Sequence, residues 1–377
     1  MALTVPAVSQ LLCWCCWSDI DSQPSFLPVW AEAVKQGPSS RMEVTSPSAH
    51  QDNLHKPSQP ARPALAQISV NAGRDMPDVC TTPAGAAQPQ STEAKLADTR
   101  PELHYQVGVT PEGIELPRCT MDPSCLDTIE QQPAEHRATV PAGPDPKWRY
   151  MWRVGDRPDN TQFKELNAEP VVPKAFPEWP AVMDGWGQKM LAAVETVAAM
   201  AAVGFGLPVG TFTQRMHLGP HLLAPTGANL EIHNQLGTCY AGYHYDLNFL
   251  TIHGKSRFPG LFVWLRDGRR VPVRIPDGCL FIQAGKQMEW LTGGHVRGGY
   301  HEVVCTEATQ AAIAQAEAAG RTLWRVSSTM FTHIASDAVL QPLEHFATSM
   351  TEEQYPAIPA GEFVQRELEA IKLKAPC

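Results

Sequence analysis

The chain has 377 residues, of which 43% are hydrophobic and 8% aromatic, enough to bury a core, while 34 prolines imply that part of it stays outside that core. A formal charge of -9, with no basic run anywhere along the chain, argues against an electrostatic nucleic-acid binder. The opening stretch MALTVPAVSQLLCWCCWSDI is apolar but too short to span a bilayer and lacks a basic leader, so no integral membrane span is expected.

Outside the CWCC cluster of Cys13, Cys15 and Cys16, which leaves a lipid-anchor reading open, the cysteines are scattered without a CxxC pair. Neither a zinc ribbon nor a disulfide framework is indicated, and a reducing, cytoplasmic compartment is expected. Residues from about 35 to 100 are rich in Pro, Ser, Ala and Gln and poor in aromatics, a composition that buries too little apolar surface to offset chain entropy. Residues 1–100 are therefore expected to form a disordered or loosely packed leader. The alternating apolar residues of ELHYQVGVTPEGIELPRC predict a strand entering a fold near residue 101.

An N-terminal, helical support region is expected over 101–228. Its main element is a long helix in which Met183, Met190, Leu191, Val194, Val197 and Met200 recur at helical spacing, opened by Pro180 and closed by Gly204, Gly206 and Pro208. That apolar stripe reads as the support on which a sheet packs. From residue 229 the pattern changes to short strands: NLEIHNQL, YHYDLNFLTIH, GLFVWLR, RRVPVRI, CLFIQAG, MEWLTG, GYHEVVCT and LWRVSSTMF, separated by Gly, Pro and Asp. An antiparallel barrel domain is expected over 229–335. A C-terminal helical segment follows over 336–377, around PAGEFVQRELEAIKL.

Within the strand series, His244 and Asp246 stand two residues apart, so on a strand both would face the same way. The spacing alone is weak, because His50 and Asp52 repeat it in a polar stretch with no strand to aim them. His301 supplies the missing ligand, 301 - 246 = 55 residues downstream, far enough for several antiparallel strands to bring the chain back to the same mouth. Two histidines and one carboxylate that leave other coordination positions open form the facial triad of non-haem Fe(II) oxygenases. Iron there needs the open positions for a co-substrate and O2.

With HYDLNFLTI, the strand run that follows it, and the terminal RVSSTMF in this order, residues 229 to 334 resemble the isopenicillin N synthase-like branch of the Fe(II)/2-oxoglutarate dioxygenases. The resemblance implies a double-stranded β-helix, or jelly roll, packed on the long helix: an all-β core with flanking helices. It implies Fe(II) at His244, Asp246 and His301, and 2-oxoglutarate held through its distal carboxylate by Arg325 and Ser327. These two form another i, i+2 pair on one strand, offering a guanidinium fork and a hydroxyl to one carboxylate. The implied activity is O2-dependent oxidation, commonly hydroxylation, of a small-molecule substrate, with 2-oxoglutarate decarboxylated to succinate. An oxidase of the same fold that uses no 2-oxoglutarate, and a non-catalytic jelly-roll binding module, are the alternatives.

The interval from His301 to Arg325 contains TEATQAAIAQAEAAG, read as an inserted surface helix that leaves Arg321 in the turn behind it. His217, His221, His233 and His333 read as structural histidines, and His253 and His295 as loop residues or neighbours of the ligands. GGHVRGG reads as a hairpin turn, since it precedes a strand. Tyr243, Tyr245, Asn234 and Trp290 either line the pocket or pack.

Overall fold

In a computed structural model, residues 91–120 and 122–373 are described. The CWCC cluster and the His50/Asp52 pair lie outside them. The leader expected through residue 100 gives way to structure earlier: α1 (Thr92–Leu96) is capped by the Ser91 side chain, and Lys95 lies about 5 Å over the rings of Trp148 and Trp324. A bridge from Thr99 to Val109 ties this segment to β1 (Gly108–Thr110). The Lys95 cation–π contacts and the Thr99–Val109 bridge hold this polar segment against the fold.

Two antiparallel sheets form the core. β2 (Trp148–Arg153) and β3 (Leu222–Asn229) continue from β1, and the larger sheet is completed by β5 (Leu250–His253), β8 (Phe281–Ala284) and β10 (Trp324–Thr332), in the order β1-β2-β3-β10-β5-β8. The smaller sheet has the order β4-β9-β6-β7, from β4 (Cys239–His244), β6 (Leu261–Trp264), β7 (Arg270–Pro272) and β9 (His301–Val304). The chain passes back and forth between the sheets, as the jelly-roll expectation requires.

The long helix α2 (Trp179–Gly204) matches its expected span, with Met183, Met190, Val194 and Val197 buried against the larger sheet. It ends where Gly206 takes a positive φ of 74° that a side chain would resist. The register of helix and sheet is marked by Trp186, whose indole N–H donates to Ser328 Oγ on β10 at 2.8 Å. The Ala-rich insert forms α3 (Glu307–Ala318), whose Ile313 and Ala316 pack on Tyr240 beside the smaller sheet.

Five expectations need correction. The barrel begins at Leu222, and NLEIHNQL is a turn: Asn229 Oδ1 accepts the Glu231 N–H, ending the strand and leaving Ile232 and Leu236 exposed. The single strand expected over 243–253 is two strands with a corner at residues 245–249, where Asn248 Nδ2 donates to the carbonyls of Leu250 and Thr332 as the chain crosses from one sheet to the other. MEWLTG belongs to a helix, α4 (Lys286–Leu291), because Met288 and Leu291 bury one face and Gly285 lets the helix start against the Asn248 carbonyl. GGHVRGG is accordingly the link from α4 to β9, not a hairpin turn. Finally, Cys119 and Cys125 form a disulfide, with Cα atoms 4.9 Å apart, between the turn Arg118–Thr120 and the helix Pro123–Glu130.

The C-terminal segment carries the expected helix α5 (Ala360–Ala370), together with a short pair of strands, Val339–Leu340 with Ile358–Pro359. Among the described residues no helix is long and apolar enough to cross a membrane.

Candidate active site

His244 ends β4 and His301 opens β9, and the two are direct partners in the antiparallel register. Their rings lie 4.2 Å apart. Each closes the same tripeptide, Gly242-Tyr243-His244 and Gly299-Tyr300-His301. Each imidazole also directs Nδ1 at the carbonyl of its own glycine, at 2.6 Å for His244 and 3.0 Å for His301. A carbonyl accepts only, so Nδ1 carries the proton and Nε2 keeps its lone pair. The two tyrosines stack at 4.7 Å, with Trp264 edge-on to Tyr243. Gly242 has no room for a side chain, because a Cβ would meet Pro117 and Pro141 within 2.9 Å.

Asp246 lies two residues past the end of β4, so strand alternation is not what aims it. Its Oδ2 accepts from Thr251 Oγ1 at 2.7 Å and from Gln283 Nε2 at 2.6 Å. Thr251 and Gln283 are register partners across β5 and β8. With Oδ2 so engaged, Oδ1 faces the histidines, 3.7 Å from His244 Nε2 and 3.8 Å from His301 Nε2. Donors each about 2 Å from one ion stand roughly 3 to 4 Å apart, so this set can hold a metal. Charge agrees with geometry. Burial, then the neighbouring His301, pull His244 down to about 3, leaving it neutral. For Asp246, burial alone acts upward, but the two imidazoles and the two donors outweigh it and lower the carboxyl. The neutral His244 imidazole and the ionised Asp246 carboxylate are in the donor state that a metal requires.

A cavity of about 400 Å³ opens on one side of this triad, walled by the larger sheet. Arg325, Ser327, Thr329 and Phe331 alternate into it along β10, while Ser328 and Met330 face the long helix. Arg325 is 9% exposed, and its Nε has no hydrogen-bond partner. Among the described residues no carboxylate pairs with it. Burial draws the guanidinium down to about 10, so it remains a cation at neutral pH. Such an orphaned charge fits an anionic ligand. Ser327 Oγ, 3.2 Å from Thr329 Oγ1, stands beside it. Arg321 is exposed in the turn after α3, away from the cavity. His253, buried on β5, lines the same cavity.

A second cavity, of about 270 Å³, opens on the other side of His244 and Asp246. Tyr243, Tyr245 and Tyr300 line it, and so does His333, which burial holds neutral at about 3. Arg118 donates to the Tyr245 hydroxyl, which donates to Glu367 Oε2 at 3.2 Å, tying the corner after β4 to helix α5. Asn234 and Trp290 line neither cavity. Trp290 packs on Tyr355 and Phe363 and donates to the Pro356 carbonyl. His221 is structural, its Nδ1 accepting the His333 N–H, and His217 is exposed. His233 meets Glu112 at 3.3 Å, and His295 stacks on Phe346. Sequence reading missed Thr251, Gln283, Arg118 and Glu367. Of the groups that orient the three donors, only the glycines leave a signal in the sequence, the repeated Gly-Tyr-His, which the sequence reading did not use.

Residues 222–334 match the family model described as the 2OG-Fe(II) oxygenase superfamily. A Caulobacter crescentus protein assigned to the 2OG-Fe(II) oxygenase family shares the fold at a TM-score of 0.57 and 24% identity, over 75% of this chain and 81% of that one. A full-length Neurospora crassa protein in complex with alpha-KG aligns at 0.54 and 17% identity, over 74% and 78%. JOX2 in complex with 2OG, Fe and JA aligns at 0.50 and 18% identity, over 76% and 71%. No curated protein matches by sequence.

Proposed function

Taking residues 222–334 as a 2OG-Fe(II) oxygenase domain of a non-haem iron oxidoreductase, we propose that His244, Asp246 and His301 hold the Fe(II), that Arg325 and Ser327 hold 2-oxoglutarate, and that the protein hydroxylates a small organic molecule. The observation that carries the reading is the buried, unpaired Arg325 in the same cavity as the triad. A cation stripped of water and left without a counter-ion is costly unless an anion completes it. Thymine in a complex of the Neurospora crassa protein and JA in the JOX2 complex are both small molecules, which supports a substrate of that size.

Iron, when bound, supplies the redox chemistry that couples O2 and the decarboxylation of 2-oxoglutarate to oxidation of a substrate C–H bond. The rest falls to side chains of this chain. Gly242 and Gly299 keep the Nδ1 protons in place, so both Nε2 lone pairs stay directed at the metal position. Thr251 and Gln283 occupy Asp246 Oδ2 and leave Oδ1 as the donor. Arg325 binds and orients the co-substrate carboxylate from within a wall that excludes water. The cavity of the tyrosines is the place for the substrate, since it reaches His244 and Asp246 from the side away from Arg325.

Purified protein given Fe(II) and O2 is expected to consume 2-oxoglutarate and release succinate, slowly alone and faster with a true substrate. Metal binding without any 2-oxoglutarate binding would overturn the reading.

A further inference from the structure

The two cavities that meet at the triad treat charge in opposite ways. The larger one holds a cation with no partner. Three cationic side chains line the smaller one, Arg118, Arg149 and Lys286, and each is already matched. Arg118 stands 3.4 Å from Glu367, Arg149 Nη1 donates to Glu115 at 2.8 Å, and Lys286 Nζ donates to Glu289 at 2.6 Å. Most of the acids are engaged as well: Glu115 and Asp145 share Lys147 at 2.7 and 2.6 Å, and Asp122 Oδ1 accepts from the Ser124 N–H and Oγ at the start of the helix Pro123–Glu130. A carboxylate or phosphate entering this cavity finds no free cation, and the acids an ammonium would find outside a Lys or Arg ion pair are Asp246, which the oxygenase reading gives to the metal, and Asp122, whose Oδ1 already accepts two hydrogen bonds. Either would lose its hydration without gaining a partner. The rest of the lining is uncharged but mixed: Leu247, Tyr300, Phe331 and Leu368 offer apolar or aromatic surface, and Gln106, Thr128 and Asn248 offer neutral polar groups.

We propose that the smaller cavity takes an uncharged small molecule that joins an apolar or aromatic body to neutral polar groups, and that Glu367 enforces this selectivity by keeping Arg118 occupied. The proposal rests on the oxygenase reading, which places the substrate there. The volume of about 270 Å³ is just under the roughly 300–1,000 Å³ of sites that enclose drug-sized ligands, which fits a compact substrate.

The test uses the full chain with Mn(II) in place of Fe(II), so that nothing turns over, and with saturating 2-oxoglutarate, so that Arg325 is occupied. Matched probes that differ in charge alone are titrated calorimetrically: benzamide, benzoate and benzylamine, then the amide, acid and aminomethyl derivatives of indole. In each set the amide is expected to bind on the order of tenfold more tightly than the acid or the amine. In Glu367→Gln, which releases Arg118, the affinity of acid relative to amide is expected to rise about tenfold over wild type. Tightest binding by an acid or an amine in wild type, failure of both amides to bind, or an unchanged ratio in Glu367→Gln overturns the proposal. Loss of 2-oxoglutarate binding by the Mn(II) protein is a separate outcome, and it removes the oxygenase reading together with this one.

Discussion

The smaller sheet displays the two histidines proposed to bind metal, and the larger sheet holds the donors that aim Asp246 together with the unpaired Arg325. His244 and His301 sit side by side on β4 and β9, each oriented by the glycine two residues before it. Thr251, Gln283 and Arg325 come from β5, β8 and β10, strands backed by the long helix and the largest apolar cluster. Only Asp246 belongs to neither sheet, and it meets both. A site divided in this way keeps the proposed donor histidines on the smaller sheet and the apolar support of the long helix under the larger one, so metal binding and fold stability should respond to different residues.

The sharpest break in that comparison is His301→Ala. It is expected to reduce metal retained after desalting to background, since two donors hold iron poorly, while the far-ultraviolet spectrum and cooperative melting of the apo-protein persist. Full metal content in the variant would remove His301 as a ligand. On the larger sheet, Arg325→Ala should keep its metal yet lose about 2 to 5 kcal/mol of 2-oxoglutarate binding, or about one and a half to three and a half decades. Arg321→Ala should behave as wild type, and equal affinity in wild type and Arg325→Ala would dismiss the anchor. Met190→Ala, under the same sheet, should cost roughly 2 to 5 kcal/mol of stability by denaturant melts without altering the metal affinity of the folded protein.

Smaller effects sharpen the contrast further. Removing either donor to Asp246, by Thr251→Val or Gln283→Met, should weaken Mn(II) about 10- to 100-fold by competition titration. Thr251→Ser should restore the affinity, which a purely structural role for that position would not require. The smallest effect is a pH slope. Burial brings the His253 imidazole from 6.5 down to about 4, so between these values the unfolded chain binds the extra proton. His253 therefore contributes stability that is fully present above pH 6.5 and is lost as the pH falls toward about 4. Melting temperatures of apo-protein across that range should fall less steeply in His253→Gln than in wild type. Parallel curves would assign the slope to other groups.

What could be read from the chain follows the same division. His244, Asp246 and His301 stood out because their residue types and separation are unusual in apolar strands. Arg325 and Ser327 were named from the family resemblance and their i, i+2 spacing, and β10 is a strand whose alternation holds through Phe331. Asp246 was picked for an incomplete reason: the strand stops at His244, and cross-sheet donors do the aiming. Thr251 and Gln283 are ordinary strand residues that acquire a role only through the pairing of β5 with β8, a register no local pattern encodes. Arg118 and Glu367 meet across 249 residues. MEWLTG was misread because a short apolar run has no period long enough to separate strand from helix. The Cys119–Cys125 pair was missed because a turn and a helix N-terminus bring its members together, without a motif.

The place of β10 in the larger sheet bears on how the molecule assembles. It lies between β3 and β5, pairing Arg325 with Ala228 across 325 - 228 = 97 positions and Thr329 with His253 across 329 - 253 = 76. Contacts that close such long loops form slowly and late. A ribosome that has released the chain through β9 has released all three proposed metal donors, yet the sheet behind them still lacks its central strand. When that strand docks one residue out of register, Val326 takes the position of Arg325 and a guanidinium is driven toward the apolar cluster, a penalty that rejects the slipped pairing. Closure of the fold and arrival of the proposed co-substrate anchor are thus a single kinetic event, proofread by the charge of Arg325 itself.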